Sequence, residues 1–345
     1  MKRLLVFRFS AMGDVAMTVP VLYSLARQYP ELQITIVSRV AFQPFFENLP
    51  ANVSFIAADL YGKHKGIAGL YRLFQELRKM KFDAVADLHA VLRTFFLRFC
   101  FRITGIPVEH INKGRKAKKA LTRQKNKTRK PLPTTFERYA NVFQKLGLTV
   151  PSQFTSLFEE READRSLFLP YTGEKNNQFW IGIAPFAKHI GKMYPLGKME
   201  KVVEQLSQHE NTRLFLFGGG KQEIETLAEW EKRHRNTTTV AGKLKLNGEL
   251  ALISQLDVMI SMDSANMHMA SLTHTPVISI WGATHPWGGF LGWKQSAKNA
   301  IQTDLPCRPC SIFGHKPCIR NDYACLEQIS PEVITKQTLD FLTGK

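Results

Sequence analysis

Short apolar runs alternate with stretches of helical period in two successive series, and this alternation restricts the chain more than any other feature. In the first series, Arg3–Phe7 reads as a buried strand, and apolar residues then recur at helical spacing from Asp14 to about Gln28. Gln33–Ser38 reads as the next strand. Strand, helix and strand within so few residues make a right-handed parallel unit. Val53–Ala57 and Phe82–Leu88 continue as strands, with helices expected over 67–80, 92–103 and 135–146. The second series has strands at 180–184, 212–217, 240–242, 258–261 and 277–281. Helices are expected between them at 196–208, 222–233, 247–255 and 267–272.

Between the two series, residues 151–178 are polar and interrupted by Pro170 and Gly173, as in a linker. A length of 345 residues suits two domains. The expected division is 1–165 and 175–330, with a closing helix over 331–345. The fold class is α/β, two doubly wound Rossmann-like sheets facing a cleft, with ligands beyond the carboxyl ends of the strands. Hydrophobic residues at 44% and charged residues at 22% exclude a disordered chain, and 22 Gly and 17 Pro without a short repeat exclude a fibrous one.

Charge narrows the partners. Lys plus Arg number 47 against 29 Asp plus Glu, a formal net of +18. So basic a chain expects nucleic acid, an anionic membrane face, or a phosphorylated or carboxylated substrate. Ten of the basic residues fall in 112–130, which holds no acid. Like charges do not pack on one another, so this block, including Lys116, Lys119 and Arg123, is expected to be a mobile surface loop of the first domain. The helix over 92–103 interleaves Phe95, Phe96, Phe99 and Phe101 with Arg93, Arg98 and Arg102, and reads as a buried helix with basic edges or as a membrane-surface element. No uncharged apolar stretch is long enough to span a bilayer. The first apolar run is broken at Arg8, too early for a signal-peptide core, so a cytoplasmic location is expected.

Four loops after strands carry candidate chemistry. In Ser10-Ala11-Met12-Gly13-Asp14, Gly13 permits a tight turn, and Asp14 reads either as a helix N-cap or as a general base. The loop 185–195 places Lys188 and Lys192 after a strand, either solvated or meeting a pyrophosphate. Gly218 and Gly219, in a triple-glycine turn, allow close backbone approach to a ligand. Position 223 is Glu, so the dinucleotide fingerprint is absent. Asp263, Ser264, Ala265, Asn266 and His268 begin a helix whose free N–H groups suit a phosphate. The loop 281–287, with Thr284, follows the next strand. Cys307, Cys310, Cys318 and Cys325 read as free thiols, a disulfide pair or a structural zinc site.

Taken in order, these segments resemble glycosyltransferase family 9, the lipopolysaccharide heptosyltransferases. Arg8-Phe9-Ser10-Ala11-Met12-Gly13-Asp14-Val15 is similar to that family's Arg-x-Ser-x-x-Gly-Asp-Val. Phe82–His89 resembles its Tyr-Asp-x-x-Ile-Asp-Leu-Gln, and Lys192-Met193-Tyr194-Pro195 its Lys-x-Trp-Pro. Asp263–His268 is similar to Asp-Ser/Thr-Gly-x-x-His, and Trp281–Pro286 to Phe-Gly-Pro-Thr-Asp-Pro. Ala265 stands where the family has Gly, and Ala283 and His285 where it has Pro and Asp.

The resemblance implies a GT-B fold with an N-terminal acceptor domain and a C-terminal nucleotide-sugar domain. It also implies inverting, metal-independent transfer from ADP-heptose to the Kdo/heptose inner core of lipopolysaccharide, at the inner face of the cytoplasmic membrane of a Gram-negative bacterium. No cofactor and no nucleic-acid partner are expected. Asp14 becomes the base and Lys192 the ligand of the donor phosphates. Lys188, Gly218, Gly219, Glu223, Leu244 near the adenine, Asp263, Ser264, Ala265, Asn266, His268 and Thr284 fall to the donor. Ser10, Met12, Gly13, His89, Arg93, Lys116, Lys119 and Arg123 fall to the acceptor, with an anionic inner-leaflet surface as a further partner. Two alternatives stay open: another nucleotide sugar or acceptor on the same fold, and a nucleic-acid-binding protein.

Overall fold

The computed structural model describes residues 1–344. The chain divides into two compact units, one of residues 1–113 and 135–161, the other of 114–134 and 162–345. In the first unit, β1 (Arg3–Phe7) is followed by helices α1 (Met12–Ala16) and α2 (Val19–Gln28). Then come β2 (Gln33–Ser38), β3 (Val53–Ala57), α3 (Gly66–Arg78), β4 (Ala84–Asp87), α4 (Leu92–Ile103) and β5 (Val108–His110). Helix α5 (Arg115–Thr122) belongs to the second unit, and the chain returns to the first for α6 (Thr135–Lys145).

The second unit continues with α7 (Leu169–Thr172), β6 (Phe179–Ala184), α8 (Leu196–Ser207), β7 (Thr212–Leu216), α9 (Lys221–Arg233), β8 (Thr237–Thr239) and α10 (Leu246–Ile253). It closes with β9 (Val258–Met262), α11 (Ala265–Leu272), β10 (Val277–Trp281), β11 (Ala300–Gln302), α12 (Ala324–Glu327) and α13 (Pro331–Thr343).

Both sheets are wholly parallel. The first runs β3-β2-β1-β4-β5 and the second β11-β10-β9-β6-β7-β8. In each, the first strand of the series lies in the interior, and the chain winds outward from it in both directions. Helices then cover both faces, which is why Leu4–Phe7 and Trp180–Ala184 are unbroken apolar runs and are fully buried. This order creates a switch point in each sheet, between β1 and β4 and between β6 and β9. Loops leaving two such neighbours diverge to opposite faces and open a crevice at the strand ends.

Several expectations need correction. The helix expected from Asp14 is two helices: Pro20 lies in the first turn of α2, where its missing N–H costs nothing. Gly13 makes no tight turn, being inside α1. Asp14 is not the N-cap, which is Ala11, but the third residue of that helix. The third short strand of the second series is 237–239 rather than 240–242. β5 and β11 were not anticipated.

The basic block is corrected most. It is not a mobile loop of the first domain. It contains α5, and 114–134 groups with the second unit. Lys127 Nζ donates to the carbonyls of Cys307 (2.6 Å) and Pro309 (3.0 Å), and Arg129 donates to Pro306 O. Leu132 N donates to Trp287 O, and the Lys118 ammonium lies over the rings of Phe290 and Phe313. Carbonyl oxygens and aromatic faces, rather than acids, receive these charges.

Candidate active site

In the first unit the crevice between β1 and β4 is built from the loops after Phe7 and Asp87, residues paired across the sheet. Asp14 stands in the first turn of α1, directly after the first of these loops. Its Oδ2 accepts from Arg8 Nη2 at 2.7 Å and, more weakly, from Ala11 N at 3.4 Å. Its Oδ1 has no partner among the described residues. The side chain is 34% exposed, so the carboxylate is accessible to a ligand. Arg8 is itself buried, anchored by donation to Leu88 O (2.7 Å) and lying over the Tyr139 ring. Tyr139 of α6 donates its hydroxyl to Asp14 O at 3.1 Å. The carboxylate is therefore positioned through one oxygen and free at the other.

The second loop carries His89. Fully buried Asp87 turns it: Oδ1 accepts from His89 N (2.8 Å) and Ala90 N (2.9 Å), and Oδ2 pairs with Arg98 Nε of α4 at 3.0 Å. His89 Nε2 is 3.5 Å from Ser10 Oγ, while Nδ1 is buried without a partner. Burial first, then Arg8, Lys113 and Arg93, lower its pKa to about 3, with Asp14 opposing, so the ring is neutral at pH 7. Ser10 and His89 thus lie on the two loops of one switch point, and Met12, Gly13, Asp14 and Arg93 in the first turns of α1 and α4, the helices that follow those loops. Lys116, Lys119 and Arg123 do not: they belong to the α5 segment of the second unit and are exposed there.

In the second unit, Lys192 comes from the loop after β6 and Asp263 from the end of β9. Lys192 Nζ bonds Asp263 twice, to Oδ2 at 2.8 Å and to the backbone oxygen at 3.1 Å. Asp263 is 3% exposed, and Lys192 is its ion-pair partner. Lys188, on the same loop, is exposed. Ser264 takes the N-cap position of α11 without capping it through its side chain, its hydroxyl lying 3.3 Å from Ser261 Oγ. Ala265, Asn266 and His268 follow in that helix, whose first N–H groups suit an anion.

Gly218 and Gly219 follow β7, with Glu223 Oε2 accepting from Gly219 N at 2.8 Å. Gly220, at φ +94, is the position of that turn that favours glycine. Leu244 lies half-buried between β8 and α10. Thr284 is buried beyond β10, its hydroxyl without a partner.

Sequence reasoning missed Arg308. This buried arginine donates to Gly282 O (2.6 Å), Trp281 O (3.1 Å), Thr284 O (3.0 Å) and Gln302 Oε1 (3.1 Å), and also to Thr303 O. It holds the loop after β10 from below, while Cys310 N and Ser311 N donate to Ala283 O. Its mark in the sequence is its place inside Cys307-Arg308-Pro309-Cys310. His285, in the same loop, accepts from Trp287 N through Nδ1. Burial, with Arg308, lowers its pKa to about 4. The five cysteines are unpaired. Among the described residues no three His, Cys, Asp or Glu side chains are arranged to hold a metal ion.

Two doubly wound parallel sheets, each with polar side chains gathered at its switch point, make up the GT-B architecture, on which the activity is set by the site. A family model described as glycosyltransferase family 9 (heptosyltransferase) matches residues 70–320. The chain belongs to glycosyltransferase family 9 and is a glycosyl-transferring enzyme.

Among its relatives, the lipopolysaccharide core heptosyltransferase OpsX of Haemophilus influenzae is 24% identical over 83% of this chain and 80% of that protein. Lipopolysaccharide heptosyltransferase 1 of Pseudomonas aeruginosa is 25% identical over 89% and 86%. Among solved structures, the glycosyl transferase family 9 protein from Veillonella parvula aligns with a TM-score of 0.76 at 20% identity, covering 100% and 98% of the two chains. The E. coli ADP-heptose lps heptosyltransferase II aligns at 0.73 with 18% identity, covering 100% and 99%.

Proposed function

We propose that this enzyme moves a heptose from ADP-heptose to the Kdo/heptose inner core of lipopolysaccharide, with inversion at the anomeric carbon. One observation carries the reading: a carboxylate with a free oxygen stands at the switch point of the first sheet, and an anchored ammonium at that of the second. The relatives' names, lipopolysaccharide heptosyltransferases, support heptose transfer to lipopolysaccharide, and the name of the E. coli ADP-heptose lps heptosyltransferase II supports an ADP-linked donor.

Asp14 Oδ1 takes the proton of the acceptor hydroxyl as its oxygen attacks the anomeric carbon. The bond from that carbon to the diphosphate breaks, and its electron pair leaves on the β-phosphate oxygen. Lys192 offsets the charge that builds there, its position set by Asp263. The products are the glycosylated acceptor, ADP and a proton. Arg8 and Tyr139 keep Asp14 oriented. His89, being neutral, offers hydrogen bonds to acceptor hydroxyls without adding charge beside the base.

The test is a screen of ADP-, UDP- and GDP-sugars against a Kdo-bearing lipid acceptor, with the anomeric configuration of the product read by NMR. Turnover of ADP-heptose with inversion is expected. Turnover of a UDP- or GDP-sugar alone moves the assignment to a different donor, for which Ala265, Ala283 and His285 are the residues to examine. A product that retains the donor configuration removes Asp14 as base.

A further inference from the structure

Helix α4 has an outer face that the fold does not use. Its inner residues Leu97 and Phe101 are fully buried against Leu70, Leu73, Phe74 and Leu77 of α3. On the other side Leu92, Phe95, Phe99 and Ile103 are 89%, 59%, 56% and 69% exposed. Their spacing of three, four and four residues places all four along one stripe of the helix. Neighbouring α3 adds Ile67 and Tyr71, 73% and 51% exposed and four residues apart. Single exposed apolar residues are ordinary; six large ones on two adjacent helices are not.

The charge around the stripe has one sign. Arg72 and Arg78 on α3 and Arg93 and Arg102 on α4 are exposed, as is Lys65 at the start of α3. The two helices contain a single acid, Glu76, and it is taken up by Lys63 and His64. An apolar stripe rimmed by arginines fits the boundary between acyl chains and anionic headgroups. With 12 residues α4 is too short to cross, and no described helix is long and apolar enough to do so.

We infer that the outer face of α4, with the start of α3, docks on an anionic phospholipid bilayer, lying in its interface. The inference rests on the reading that the acceptor is lipid-borne and gives that reading a geometry. Leu92, the most exposed residue of the stripe and the first of α4, is three positions from His89, and Arg93 follows it in the same helix turn. The docked face therefore begins where the β4 loop of the candidate acceptor site ends, and a sugar attached to a membrane lipid meets this loop first.

Phe99→Trp tests the placement. The five native tryptophans all lie at 180 or beyond, so wild-type emission is the background. With vesicles of phosphatidylethanolamine and phosphatidylglycerol, the added emission should shift to the blue and be quenched by lipids brominated on the acyl chains. It should do neither with phosphatidylcholine vesicles. Replacing Leu92, Phe95, Phe99 and Ile103 together by Ser should lower partition onto the anionic vesicles by about 10-fold or more. The melting temperature and turnover of a water-soluble, deacylated acceptor should be unchanged.

Three results overturn the inference: Trp emission that is neither shifted nor quenched, partition of the folded quadruple variant equal to wild type, or a concentration-dependent wild-type dimer that the substitutions abolish while vesicle binding persists. If the quadruple variant does not fold, Phe99→Trp decides alone. Vesicle binding is measured without donor or acceptor, so failure of the proposed transfer chemistry registers separately, in the turnover assay.

Discussion

Asp14 and Lys192 are each held by an opposite charge, but the consequences of removing them differ. Asp14→Asn keeps the size and the contact with Ala11 N while removing the proton acceptor. We expect kcat to fall by about 10²–10⁴ with donor affinity nearly unchanged, read from steady-state kinetics and a donor-binding isotherm. Lys192→Met should cost roughly 10²-fold in turnover or more. It also strands the buried Asp263 carboxylate, which costs on the order of 3–5 kcal/mol when a buried pair loses one partner. Lys192→Met/Asp263→Asn should recover most of the stability and little of the activity. If Lys188→Ala is severe and Lys192→Met silent, the phosphate ligand is the other lysine.

His89 supplies a pH signature. Its folded pKa, about 3, lies below the unfolded value near 6.5. The unfolded chain therefore binds the extra proton between these values. The stability this ring contributes is fully present above pH 6.5 and is lost as the pH falls toward 3. Urea unfolding of wild type and His89→Gln should show a wild-type advantage that grows from pH 4.5 to pH 7.5. A difference independent of pH would mean that the ring is not buried neutral.

At the scale of elements, Arg308 is the tie between the segment after β11 and the loop after β10. Arg308→Met leaves several buried carbonyls without donors. We expect a loss of about 2–4 kcal/mol in stability, measured by denaturant unfolding. In the enzyme that remains folded, donor KM should rise more than kcat falls. The opposite split would assign Arg308 a part in the chemical step.

The same segment shows what linear reading can and cannot see. Interior strands were legible because two covered faces demand unbroken apolar runs, as in Leu4–Phe7. The loops after β1, β6, β7, β9 and β10 were legible as places because ligands gather at strand ends, whereas the loop after β4, with His89, was legible only through the family resemblance. Arg308 and Lys127 were not, because their partners are main-chain carbonyls, which leave no mark in a side-chain pattern. The break between α1 and α2 was readable from Pro20 but was passed over in favour of the apolar period that continues across it.

For the whole molecule, the basic block divides into charges that hold structure and charges that face solvent. Lys127→Met should lower the melting temperature, since two carbonyls lose their donor and burial has already moved its ammonium toward neutrality. Neutralising exposed Lys116, Lys119, Arg123 and Lys125 together should leave the melting temperature in place. The same change should weaken binding to a membrane-borne anionic acceptor, most at low salt, where wild-type attraction is least screened. Titrating salt against acceptor KM checks this. A quadruple variant that melts early would make these residues structural.

The second unit takes its first residues, 114–134, from the middle of the first unit's sequence, so the chain passes between units at three places. No single cut divides the protein into two complete halves. Vectorial synthesis meets the same fact as a delay. Lys118, Lys127, Arg129 and Leu132 leave the ribosome long before residues 287–313, which receive them. During that interval Lys118, Lys127 and Arg129 hang from a growing chain without the rings and carbonyls that will receive them. A nascent chain stalled before residue 287 should expose this segment to trypsin, and release of the full-length chain should hide Lys127 from the protease.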